Sequence, residues 1–359
     1  MRFVFFTHSL LSDWNNGNAH FLRGICAELI DKKHVVTVFE PEESWSLLNL
    51  LQERGPEILD EFHATYPTLN SIRYRELDLD NMLAGADVVI VHEWNSPYLI
   101  RKLGDYRRKN GSFLLLFHDT HHRAVTEPGI YAQYGLGEFD GVLAYGSALR
   151  DIYVRMQWTK KTWVWHEAAD VRIFRPNREV PKSYDLIWVG NWGDEERSEE
   201  LMEFMARPVR ELGISAKVYG VRYPENALEV LHQENIDYGG WIPNYKVPEV
   251  FSRARITVHV PRRPYVNALP GIPTIRPFEA LACGIPLISA PWDDRERLFR
   301  EGRDLLFAEN GKEMTLLIER VLNSQELAES LCTSGLERIL EQHTCAHRVE
   351  ELFRIISET

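Results

Sequence analysis

The chain has 359 residues, a net charge of −12, and 44% hydrophobic against 26% charged residues. This is the balance of a globular protein with room for two cores. The acidity argues against a general nucleic-acid-binding surface but leaves room for a local basic pocket. No apolar run reaches the ~18 residues of a membrane span, Met1–Thr7 turns polar too early for a signal peptide, and the four cysteines lack C-x-x-C spacing, so a cytoplasmic chain with reduced thiols is expected.

In the first half, apolar runs alternate with helix-period segments. Strands are expected at Arg2–Thr7, Val35–Phe39, Asp87–Val91, Phe113–Phe117, Gly141–Ala144 and Thr162–Val164, with helices such as Ala19–Asp31 and Tyr98–Lys109 between them. Continuous apolar strands separated by helices imply a parallel sheet covered on both faces. Residues 41–70 read as a Glu-rich, partly helical insertion of no evident role. Phe174–Lys182, with two prolines, breaks the rhythm as a linker. A second alternation follows, with strands at Tyr184–Val189, Ala216–Tyr219, Ile256–Val260, Pro286–Ser289 and Leu305–Phe307. The tail reads as three helices, Gly311–Asn323, Ser324–Glu341 and His347–Glu358. The expected domains are 1–173 and 183–343, with 344–359 as a terminal helix.

Several apolar runs end in histidine: His8, His92, His118 and His166. Ligands of open parallel sheets bind beyond the carboxyl ends of the strands, so these side chains either converge on one rim or simply close strands at a half-buried edge. His118 opens the run His-Asp-Thr-His-His-Arg123. His118, Asp119, His121 and His122 are good metal donors, but no ligand outside this run stands at a familiar spacing. Asn16-Gly17-Asn18, after the first strand, is either a plain turn or a loop whose amides approach an anion.

The most informative stretch is Pro270–Ser289. A Pro/Gly loop leads into a helix over Ile275–Ala282, with Pro277 in its first turn, Gly284 at a left-handed stop and Pro286 barring continuation. Such a helix start offers free N–H groups and the positive end of the dipole to a phosphate. One turn on, Glu279 is an acceptor-only carboxylate suited to a ribose diol.

Arg276-Pro-Phe-Glu279-Ala-Leu-Ala-Cys-Gly-Ile-Pro-Leu-Ile resembles the donor-site signature of group 1, family 4-like GT-B glycosyltransferases. With Thr274 and Arg276 before Phe278-Glu279 it looks most like the branch that holds spore-maturation-type glycosyltransferase-like proteins. The resemblance implies a GT-B fold: two Rossmann-like, doubly wound α/β domains facing a central cleft, the last helix crossing back to the first domain. It implies a nucleotide-diphosphate sugar as co-substrate, no cofactor, no metal, a retaining outcome, and an acceptor that is a glycan, lipid, small molecule or protein; the net charge adds the expectation of no nucleic acid.

By the same resemblance His118 and Glu279 carry the catalytic roles, His118 orienting the sugar and Glu279 the ribose. The donor would be held by Asn191, Arg197, Trp241, Gly271, Ile272, Pro273, Thr274, Arg276 and Glu279, with Gly17 and Asn18 in the first-domain loop. The chain departs from the family pattern at three places. Asn191 occupies the usual arginine position and leaves Arg197 as the cation, Gly271 replaces a second glutamate, and Asn16-Gly17-Asn18 replaces Gly-Gly. These departures keep two other readings open, a sugar-nucleotide epimerase and a non-catalytic nucleotide-sugar-binding protein.

Overall fold

The computed structural model describes residues 1–359 apart from Arg178 and Ile272. The chain divides into two compact units, residues 1–167 with 345–359, and residues 168–344. Each is built on one parallel sheet.

In the first unit the strands are β1 (Arg2–Phe6), β2 (Val35–Pro41), β3 (Ile72–Tyr74), β4 (Val88–His92), β5 (Leu114–Asp119), β6 (Gly141–Ala144) and β7 (Thr162–Val164). Their spatial order is β3-β2-β1-β4-β5-β6-β7, so the direction of winding reverses between β1 and β4. Phe3–Phe6 of β1 and all of β4 are buried, as central strands covered on both faces must be. Their pairing sets Phe3 against Val88, and β4 in turn sets His92 against His118 of β5. The helix Pro97–Asn110 begins with Ser96 Oγ accepting from Leu99 N at 3.3 Å and ends on Arg107, Arg108 and Lys109, a cap and a charge distribution that both suit the helix dipole.

The last helix, Cys345–Ser357, belongs to this first unit and packs on the helix Ala19–Asp31. Its buried Arg348 donates from Nε to His166 O at 3.0 Å, while Trp165 Nε1 donates to Arg348 O at 2.8 Å. The Phe353 ring packs at a tilt against His34 and Phe3, at 5.2 and 6.3 Å between ring centres. Residues 41–70 form two helices, Trp45–Arg54 and Ile58–Thr65.

In the second unit β8 (Tyr184–Val189), β9 (Ala216–Tyr219), β10 (Ile236–Tyr238), β11 (Ala254–His259), β12 (Leu287–Ser289) and β13 (Leu306–Phe307) lie in the order β10-β9-β8-β11-β12-β13. The winding again reverses, between β8 and β11. Leu186, Trp188, Val218, Ile256, Val258 and Ile288 from the sheet meet Met205, Val209 and Ile318 from the helices in one core. Gly284 takes φ +61° just past the helix Ile275–Ala282, the expected left-handed stop. Residues 168–182, expected to divide between the first domain and a linker, fall within this unit. Both units are thus Rossmann-like and doubly wound. Among the described residues, no helix is long and apolar enough to cross a membrane.

Candidate functional site

The reversal between β8 and β11 is where an open doubly wound sheet offers a crevice to a ligand. β8 runs into Gly190-Asn191. A Cβ at Gly220 would lie 1.9 Å from Gly190 O, so the ends of β8 and β9 close up only because no side chain intervenes. Arg197 turns its guanidinium inward beside this loop. Its Nη2 donates to Asn191 O at 2.9 Å and Asn191 Oδ1 at 2.7 Å, its Nη1 to Val260 O at 3.1 Å, and it lies 5.1 Å from the Trp188 ring. Arg262, just beyond β11, donates to the same Asn191 Oδ1 at 3.1 Å and to Glu196 Oε2 at 2.7 Å. Burial and the neighbouring guanidiniums of Arg262 and Arg276 pull the Arg197 pKa down to about 9. The pocket is already crowded with positive charge, which an anion would relieve.

The helix Ile275–Ala282 enters the same neighbourhood. Thr274 at its start is extended and does not cap it; its Oγ1 stands 3.5 Å from His259 Nε2. His259 Nδ1 lies 2.9 Å from Ser289 Oγ, whose proton goes to Ala290 O at 2.8 Å, so Nδ1 carries the imidazole proton and Nε2 accepts. Burial, followed by the charges of Arg197 and Arg276, lowers the His259 pKa to about 3, leaving it neutral. With no side chain on its first amides, the helix start keeps its donors for a ligand.

Glu279 is fully buried. Its Oε1 accepts from Asn244 Nδ2 at 2.7 Å, and its Oε2 is paired with Arg276 Nη1. To grip a ribose it must exchange one of these partners. Gly271 has φ +89°, a conformation side chains disfavour, and a Cβ there would press on Arg295 and Glu296. Pro273 is buried. Trp241 is buried too, and from its loop it is Asn244 that reaches Glu279. Ile272 lies outside the described residues. The structure therefore brings together Asn191 and Arg197, and likewise Arg276 and Glu279, with Thr274 joined through His259. Sequence reasoning missed Arg262 and Asn244. Arg262 had a signal, since it comes two residues after the expected strand Ile256–Val260.

The first unit has its own reversal, between β1 and β4. The loop after β1 is pinned: Glu40 Oε2 accepts from Leu10 N at 2.6 Å, and buried Arg23 donates to Leu10 O, Leu11 O and Asp13 Oδ2 at 2.9, 3.0 and 2.7 Å. Gly17 is exposed, and Asn18 Nδ2 donates to Glu167 Oε1 at 3.0 Å. His118 is 5% exposed, its ring 4.9 Å from Trp165, 5.5 Å from His92 and 5.7 Å from Phe21. Burial lowers its pKa to about 3, and its Nε2 has no hydrogen-bond partner among the described residues. His118 is a neutral donor or acceptor there, never a cation at neutral pH. His92 Nε2 is 3.1 Å from Thr120 Oγ1.

Asp119 is engaged elsewhere. It accepts from the hydroxyls of Tyr131 and Tyr153 at 3.0 and 2.7 Å and from His121 N at 3.1 Å. Among the described residues, no three His, Cys, Asp or Glu side chains are grouped to hold a metal ion. Glu93, also fully buried, is paired with Arg123.

Residues 197–354 match the family model described as Glycosyl transferase-like. No curated protein matches the chain. Among solved structures, it is similar to a sucrose-phosphate synthase from Thermosynechococcus elongatus at 13% identity and TM-score 0.67, covering 100% of this chain and 98% of that one. It is similar also to an alpha-glucosyltransferase solved with UDP and a 13-mer DNA, at 11% identity and TM-score 0.72, covering 99% of each chain. Anabaena HepE, solved with UDP, gives 11% identity and TM-score 0.67 over 100% of both. At such identities the likeness shows the fold, which is GT-B; with the matched domain it supports a glycosyltransferase.

Proposed function

We propose that the chain moves a glycosyl group from a nucleoside-diphosphate sugar to an acceptor hydroxyl, with the diphosphate at the carboxyl ends of β8 and β11. One observation carries this reading. Arg262 and Arg276 are each paired with a carboxylate, Glu196 and Glu279, whereas Arg197 donates to carbonyl and amide oxygens alone among its hydrogen bonds. The pocket thus holds a part-buried guanidinium without a counter-charge, beside an uncapped helix start. A diphosphate fits both features.

In the reaction the bond from the anomeric carbon to the β-phosphate oxygen breaks, and its electron pair leaves with the nucleoside diphosphate. The acceptor oxygen bonds the same carbon, and its proton passes to the departing diphosphate, whose oxygen has just gained the electron pair. Arg197, Arg262 and the helix start stabilise the charge that develops on the departing phosphate, an electrostatic contribution that is often the largest in such chemistry. Glu279 takes the ribose after releasing Arg276 or Asn244, and Arg276, freed in part, turns to the phosphates. His118 orients sugar hydroxyls through Nε2. Gly271 and Pro273 hold the loop so that its amides face the ligand, Trp241 supports the nucleobase side, and Gly17 and Asn18 serve the acceptor side. Because guanidiniums supply the charge, transfer is metal-independent and proceeds in EDTA. Retention of configuration and the spore-maturation-type branch are carried over to this chain from the family resemblance at Thr274–Glu279.

UDP is the first donor base to test, since it is the nucleotide bound by HepE and the alpha-glucosyltransferase. That second protein also carries DNA, so acidity by itself does not decide the acceptor class. The test is a melting series with UDP, GDP, ADP, dTDP and CMP on the wild type and Arg197→Gln. One nucleotide at 100 times its Kd stabilises by about 2.7 kcal/mol, a shift of several degrees that the variant loses. No shift with any nucleotide or intact sugar nucleotide refutes the assignment. Because Gly271 and Asn191 stand where the family pattern has a glutamate and an arginine, a non-catalytic nucleotide-sugar-binding protein is the second reading. Tight donor binding with no turnover across acceptors favours it, and donor turnover without acceptor favours an epimerase.

A further inference from the structure

The carboxyl edge of the first sheet carries a row of rings. Trp45 follows β2, His8 follows β1, Trp94 follows β4 and His121 follows β5, and those strands are neighbours in that order. The ring centroids are 6.3 Å apart from Trp45 to His8, 6.4 Å from His8 to Trp94 and 4.9 Å from Trp94 to His121. Three inter-strand steps make a row about 14 Å long. Trp45 and Trp94 are 44% and 42% exposed, which is unusual for indoles.

The row is held rigidly from behind. Trp14 stands edge-on to Trp45 at 5.0 Å, and its Nε1 donates to Glu53 Oε2 at 2.7 Å. Ser46 N donates to His8 Nε2 at 3.3 Å, and Ser46 Oγ to Trp14 O at 2.8 Å. The Arg123 guanidinium, fixed by Glu93, lies 4.2 Å from the Trp94 ring centre. Trp45, Ser46 and Glu53 all come from the insertion whose role the sequence left unread.

We propose that this row is a platform for the sugar rings of a neutral oligosaccharide acceptor. The proposal rests on the glycosyltransferase reading and names its acceptor class. An indole face is flat, apolar and rigid, and it matches the apolar C–H face of a pyranose. The hydroxyls at the edge of such a sugar need hydrogen-bond partners, and His8, whose Nε2 accepts from Ser46 N, has its Nδ1–H left to donate between the indoles. A nucleic acid would also stack on tryptophans, but its phosphates need surplus cations. Here Arg123 is neutralised by Glu93, and residues 41–61 carry Glu42, Glu43, Glu53, Glu57, Asp60 and Glu61 against one cation, Arg54.

The experiment titrates the full chain with cellohexaose, maltohexaose, chitohexaose, xylohexaose and a single-stranded 13-mer DNA, read by tryptophan fluorescence and calorimetry. Binding of one saccharide is expected, weakened about tenfold or more in Trp45→Ala and in Trp94→Ala and less in Trp94→Phe, all with the wild-type circular dichroism. Absence of saccharide binding, saccharide binding untouched by both alanine variants, or binding of DNA in place of saccharide overturns the platform. The UDP melting shift on the same protein separates the two readings. A shift without saccharide binding sinks the platform alone, and no shift sinks the donor assignment beneath it.

Discussion

Replacing Glu279 by alanine tests two roles at once, and their sizes differ enough to be separated. In the free protein Glu279 is fully buried between Asn244 and Arg276, whose side chain is 16% exposed. Truncation leaves a mostly buried guanidinium without its carboxylate, a change that costs about 3–5 kcal/mol. The second unit has the 177 residues 168–344, a size at which each kcal/mol moves a midpoint by about 2–4 °C. Its melting transition should therefore fall by about 6–20 °C without any ligand. Glu279→Gln keeps the volume and one acceptor, and should fall less, by the about 1–3 kcal/mol of one mismatched buried group. If Glu279 also holds the ribose, Glu279→Gln weakens UDP by about 1.5–3 kcal/mol, or about 10- to 150-fold in Kd. Differential scanning calorimetry and titration calorimetry read the two effects independently. A Glu279→Ala protein melting with the wild type refutes the structural role, and a Glu279→Gln protein binding UDP as tightly as the wild type removes Glu279 from the donor site.

Arg197→Gln should raise the Kd for UDP by about 10- to 150-fold, the value of a charge-assisted bond, and an unchanged titration refutes the uncompensated cation as anchor. His118 is held neutral by burial, with its pKa lowered from 6.5 to about 3; its stabilising contribution is complete above pH 6.5 and is lost as pH falls toward 3. His118→Phe should thus gain on the wild type by about 1.4 kcal/mol per pH unit below 6.5, or about 2 kcal/mol in urea unfolding at pH 5 relative to pH 7.5; a constant difference refutes the shift. Gly220→Ala would drive a Cβ into Gly190 O, 1.9 Å away, and should destabilise by about 1–3 kcal/mol while weakening UDP. Wild-type stability in that variant refutes the close approach of β8 and β9.

The strands most legible in the sequence are those buried on both faces, although the short Thr162–Val164, only half-buried, was located too. β1, β4, β8 and β11 write themselves as unbroken apolar runs. β3 and β10 were missed because each has three residues at a sheet edge and presents mostly exposed side chains, Ile72–Tyr74 and Ile236–Tyr238, leaving no run to detect. The helix Ile275–Ala282 was legible to its ends because Pro277, Gly284 and Pro286 punctuate it chemically. The internal pairing of its glutamate was not. Asn244 lies 35 residues upstream, and no local pattern announces which amide will meet a buried carboxylate. The inward turn of Arg197 was hidden for the same reason, since its partners are carbonyls of Asn191 and Val260. The aromatic row was invisible because its members are scattered from His8 to His121, and only strand order makes them neighbours.

The last helix closes the first unit, with Arg348 tied to His166 and Trp165, and this sets an order of assembly on the ribosome. Residues 1–167 emerge well before Cys345–Ser357, the helix that completes their unit. Translating the intervening 177 residues takes roughly 9–35 seconds at 5–20 residues per second. During that interval the face of Ala19–Asp31 that receives the helix is bare, while the second unit has all its strands as soon as Phe307 is out. The usual amino-first order of folding is thus reversed in completion: the unit made first is finished last.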